Sequence, residues 1–168
     1  MSEDPPKSSQ RCNSSTGPIE PDEELAYGLF SPDLFDKKTG KLTPEAVKLD
    51  DLCGKKDVHV DECGLSSGLS VARMQKQKAT EELTAALKVI TARSKKDGST
   101  RTIEGYALAC VREIEAVENR SLAVLDDGCH CFTTHAIIRG ASGYRRSALR
   151  GSRDKLVELL NRKVVRRA

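Results

Sequence analysis

The sequence predicts an α+β domain in which a small mixed or antiparallel sheet packs with about three to five helices. Three observations predict it. Segments with apolar residues at helical spacing are interspersed with short β-prone runs. No long strand–helix–strand repetition and no internal repeat occur. A turn signal, Asp126-Asp127-Gly128, separates two β-prone runs and marks a hairpin. At 168 residues the chain suits one compact domain with a tail. Hydrophobic residues make up 38% but aromatic ones only 4%, with no Trp, so the core must be largely aliphatic.

Residues 1–21 are rich in Pro, Ser and charge and read as a disordered acidic and polar tail, leaving 22–168 as the single domain. In "EPDEELAYGLF" Pro21 suits a first turn, and Leu25, Leu29 and Phe30 share a helical face, so a helix is expected. "DKKTGKL" is a turn around Thr39-Gly40. "LTPEAVKL" predicts a short helix with Thr43 as N-cap and Pro44 at its first position. Between glycines, Asp57–Glu62 and Leu69–Arg73 read as short extended pieces. "ATEELTAALKVITAR" is the clearest helix, with Thr80 as cap and Leu83, Ala86, Leu87 and Ile90 as its stripe. "SKKDGSTRT" follows as a loop. Leu108, Val111, Ile114 and Val117 recur every third residue, which favours a further helix in "IEGYALACVREIEAVENR". The hairpin "SLAVLDDGCHCFTTHAIIRG" comes next. A final helix is expected to start at Ser152, with Leu156, Leu159 and Leu160 buried and Val164-Val165 closing against the sheet.

No run approaches the roughly 20 apolar residues of a membrane helix. The opening "MSEDPPKSSQ" lacks the apolar run of a signal peptide. A cytoplasmic protein with no membrane association is expected, its six cysteines held as thiols. The net charge of +3 hides a polarity. Residues 1–36 carry two basic and eight acidic groups, a net of −6, whereas residues 139–168 carry ten basic and two acidic groups, a net of +8. Such polarity points to an anionic partner for the C-terminal end or to mutual neutralisation of the two ends. The shortage of aromatic rings argues against a single-stranded nucleic-acid binder that stacks bases.

Three sets of residues carry chemistry. Cys53, His59 and Cys63 upstream, with Cys129, Cys131 and His135 downstream, supply thiolate and imidazole ligands for zinc, but neither cluster has the CxxC knuckle. Cysteine also serves as a small core filler, and no cofactor is the expectation. For catalysis, Cys131 and His135 on one strand would stand roughly 13 Å apart, too far for direct proton transfer. His135 would then need a partner from across the fold, such as Cys63 or Ser70, with Arg73 or the nearby cysteines as further support. "GLSSGLS" lacks the lysine of a phosphate-binding loop. Finally, Arg145, Arg146, Arg150, Arg153, Arg162 and Lys163 form a basic C-terminal face suited to carboxylates or phosphates.

"GKLTPEAVKLDD", "GLSVARM", "THAIIRG" and the basic helix ending in "KVV" together resemble a set of small uncharacterised bacterial proteins. Their pattern is a Leu-Ser-Val segment followed by His-Ala-x-Ile, matched here by Leu69, Ser70, Val71, Arg73, His135, Ala136, Ile138 and Gly140. The resemblance spans residues 24–165 and implies no reaction. The sequence therefore favours an accessory or interaction protein presenting its basic face to an acidic protein or a nucleic-acid backbone. The alternative is a small enzyme or zinc-binding protein centred on His135.

Overall fold

Alternation with a period of two governs the first ordered stretch. Leu25, Tyr27 and Leu29 point into the core from strand β1 (Glu24–Ser31), while the small Ala26 and Gly28 are buried on the opposite face. This strand replaces the helix expected over "EPDEELAYGLF". The four-residue spacing of Leu25 and Leu29 fits either a helical face or a strand face, and burial on both faces selects the strand.

The computed structural model describes residues 17–31, 34–43, 45–53, 68–74, 81, 102–128 and 133–166. The expected extended piece at Asp57–Glu62, most of the expected helix after Thr80 and the loop at 94–101 lie outside these residues. Six strands form one antiparallel sheet in the order β6-β7-β4-β1-β5-β8. Beyond β1 they are β4 (Leu69–Arg73), β5 (Thr102–Cys110), β6 (Leu122–Asp126), β7 (His135–Gly140) and β8 (Val164–Arg166). A two-stranded hairpin, β2 (Phe35–Asp36) with β3 (Lys41–Leu42), stands apart from it. Its turn follows the expected Thr39-Gly40 signal, with Gly40 at φ +70° and its N–H donating to Asp36 O at 2.8 Å.

Among the described residues three helices are complete, α1 (Leu49–Cys53), α2 (Val111–Glu115) and α3 (Leu149–Asn161), and of the expected helix after Thr80 only Glu81 is described, as helical. The residues after Thr43 turn through a bond from Ala46 N–H to Thr43 O, and the helix itself begins only at Leu49. "IEGYALACVREIEAVENR" is corrected most. It is strand through Cys110, where Gly105, Ala107 and Ala109 pair with Leu29, Tyr27 and Leu25, and helical only over α2. Small residues in a central strand leave room for α3, which packs across β5.

Helix α3 starts earlier than Ser152, whose hydroxyl is buried and lies 2.5 Å from that of Ser121. The stripe of Leu149, Leu156, Leu159 and Leu160 faces the sheet as expected. Val165 of β8 pairs with Tyr106, so the chain end does close against the sheet. The β6–β7 hairpin is also present, although β7 starts at His135 and residues 129–132 lie outside the described set. The outer edge of β6 is blunted by Glu115, which accepts the Val124 N–H at 3.2 Å. No described helix is long and apolar enough to cross a membrane.

Candidate anion-binding groove

The parity of the central strands decides which candidate residues can meet. Ala72 pairs with His135 and Leu25 pairs with Arg73, so neighbouring positions on β4 face opposite sides of the sheet. Arg73 lies on the core side with Leu25, Leu69 and Val71. His135 lies on the other side with Ser70, which pairs with Ile137, roughly 7 Å along the sheet, and is exposed. His135, Ser70 and Arg73 are therefore not brought together in one pocket.

Each of the two buried residues has a partner of its own. The Arg73 side chain is 0% exposed and forms a fork on Glu23, itself 2% exposed, through Nε to Oε1 at 2.9 Å and Nη2 to Oε2 at 2.8 Å. Nη1 donates to Gly17 O at 2.6 Å and Asp126 Oδ1 at 3.3 Å, and Nη2 donates to Pro18 O at 2.8 Å. These five bonds match the five N–H donors of a guanidinium. Burial works against the charge, but the carboxylates of Glu23 and Asp126 outweigh it and hold Arg73 above the ordinary arginine value. Residues 17–21, which composition places in the tail, are thus part of the fold, with Ile19 packed on the core.

On the far side, His135 Nδ1 lies 2.9 Å from Asp127 Oδ2, and both side chains are buried. The adjacent acids Asp126 and Asp127 therefore grip opposite faces of the sheet. Sequence reasoning saw only a turn here, although strand parity alone sends consecutive side chains to opposite sides. Asp127→Ala is expected to lower stability by about 1–3 kcal/mol in denaturant unfolding, because the buried imidazole loses its acceptor.

For zinc, no three His, Cys, Asp or Glu side chains among the described residues are placed to hold a metal ion. His59, Cys63, Cys129 and Cys131 lie outside those residues, while Cys53, in α1, belongs to no such group.

The basic face divides in two. Near its C-terminal end, Lys163 donates to Glu24 at 2.8 Å, Arg162 lies 3.8 Å from Glu113, and Arg166 stacks 5.3 Å above the Phe35 ring. Of these contacts, the Lys163–Glu24 pair joins the acidic N-terminal region to the basic end. Around the N-terminal turns of α3 the arginines instead line an open groove of about 360 Å³. Arg146, Arg150 and Arg153, at i, i+4 and i+7, form one wall. Glu45, Lys48 and Asp50 rim the other, above Val47 and Leu49. Four cations and two carboxylates leave the lining at +2. Arg146 is ion-paired to Asp50, which holds its guanidinium above the ordinary value, and Arg153 lies 3.2 Å from Asp154. Arg145 and Arg150 have no ion pair among the described residues, and no acid occupies the first turn of α3 to offset its positive end.

Comparison of the chain with known protein families, with characterised proteins and with solved structures returns no match.

Proposed function

We propose that the protein is an interaction module that docks an anionic partner, an acidic protein or a nucleic-acid backbone, in the groove between α1 and the start of α3. The observation that carries this reading is the convergence of Arg146, Arg150 and Arg153 on one groove that holds two fewer acids than bases. Arginine suits the role because its planar fork engages carboxylate and phosphate alike. Exposed charges act over about 8 Å at physiological salt, so attraction at this face steers association and weakens with ionic strength.

The test substitutes Arg145, Arg146, Arg150 and Arg153 together with glutamine and measures binding to a polyglutamate peptide and to an oligonucleotide at two salt concentrations. Affinity is expected to fall by about tenfold or more at low salt, and the salt dependence to flatten. The pair Arg162→Gln and Lys163→Gln is expected to change binding little, since neither residue lines the groove. Unchanged affinity of the fourfold variant for both probes would sink the reading.

A further inference from the structure

We infer that the occupant of the groove is an acidic polypeptide segment, one of whose carboxylates takes the place of Asp50 on Arg146. The inference rests on the anion-docking reading and names its partner. The pattern of charge favours a polypeptide over a nucleic acid. Glu45 and Asp50 stand among the cations, so a phosphate backbone, charged at every nucleotide, would run against both. A peptide can set its carboxylates opposite the arginines and leave neutral side chains opposite the two acids. Leu49, still 8% exposed, gives an aliphatic side chain a small patch of floor.

Geometry agrees. Arg146 to Arg153 spans roughly 10 Å at helical rise, about three residues of an extended peptide. The basic track does not continue unbroken along α3, because the exposed acids Asp154 and Glu158 interrupt it. None of the residues lining the groove is aromatic, so it offers no platform for a base.

Asp50 is the internal stand-in for the ligand. Its side chain is 68% exposed and that of Arg146 54%, and an ion pair so open to water holds weakly and exchanges readily. An incoming carboxylate meets the same guanidinium in the same orientation. Asp50 is then a competitor, and its removal strengthens binding.

The experiment compares wild-type protein with Asp50→Asn, using a labelled peptide of about twelve residues with glutamate at every third position and leucine or alanine between, against an oligo-dT of similar charge. Asparagine keeps the shape of Asp50 at the first turn of the short helix. The expected result is peptide affinity raised by about threefold or more in Asp50→Asn, with wild-type protein preferring the peptide to oligo-dT at equal salt. Weaker or unchanged peptide binding by Asp50→Asn overturns the competitor role. Tighter binding of oligo-dT than of peptide overturns the polypeptide occupant and leaves anion docking standing. Binding of neither probe overturns both readings.

Discussion

Arg73→Ala is expected to lower stability by about 3–5 kcal/mol, the range for removing one partner of a buried ion pair. The loss has three sources. Glu23, 2% exposed, is left as a buried carboxylate without its counter-charge. The Gly17 and Pro18 carbonyls lose their donors, which frees the segment leading into β1. Asp126, at the end of β6, loses the contact that ties that strand to β4. In a domain of this size the melting temperature should drop by roughly 10 °C or more. The double variant Arg73→Met with Glu23→Leu is expected to recover much of the loss, since a well-packed apolar pair often replaces a buried ion pair at little cost. A decrease below about 1 kcal/mol for Arg73→Ala would show that the fork contributes only as an exposed pair does. The sign with pH is plain. The folded guanidinium titrates above its unfolded value, so, while its carboxylate partners are ionised, its contribution is complete below the arginine range and is lost as pH rises through it.

Phe35→Ala should cost about 3–5 kcal/mol, the range for deleting a buried aromatic ring. Phe35 is fully buried in the main core although it belongs to the small β2–β3 hairpin, so its ring fastens that hairpin to the rest of the fold. The other face of the ring carries Arg166 of β8 at 5.3 Å. Phe35→Leu keeps most of the apolar volume and removes the cation–π contact, so its smaller loss isolates the ring's own part. Amide exchange should quicken in β8 for both variants, and more in the alanine variant. If β8 amides keep wild-type protection, the ring does not hold the chain end.

The sequence shows its structure best where one face of an element is buried and the other is wet. Helix α3 displays its leucine stripe for that reason, and Asp126-Asp127-Gly128 announces a hairpin, although Asp126 and Asp127 themselves still pair with β7 and the reversal comes after them. Strands β1 and β5 were hidden because they run through the middle of the sheet. Gly28, Ala107 and Ala109 there are small so that neighbours can approach, and small residues carry no strand signal. The basic C-terminal face was legible as well, but not the wall of Arg146, Arg150 and Arg153, because the helix was expected to start only at Ser152. What could not be read was which cations are already taken. Glu24 reaches Lys163 from 139 residues away, and Glu23 reaches Arg73 from 50. Arg73 looked like support for a catalytic His135 for the same reason: strand register, which puts them on opposite faces, depends on pairings between distant segments.

The central place of β1 also sets a timetable for synthesis. Its partners include Arg73 on one side and Cys110 on the other, so β1 waits for both neighbours. At ordinary translation speed that wait is on the order of ten seconds, during which Leu25, Tyr27 and Leu29 have no sheet to join. Pairings so distant in the chain also make the final closure slow. The strand that ends up inside the sheet is thus made well before either of the strands that flank it.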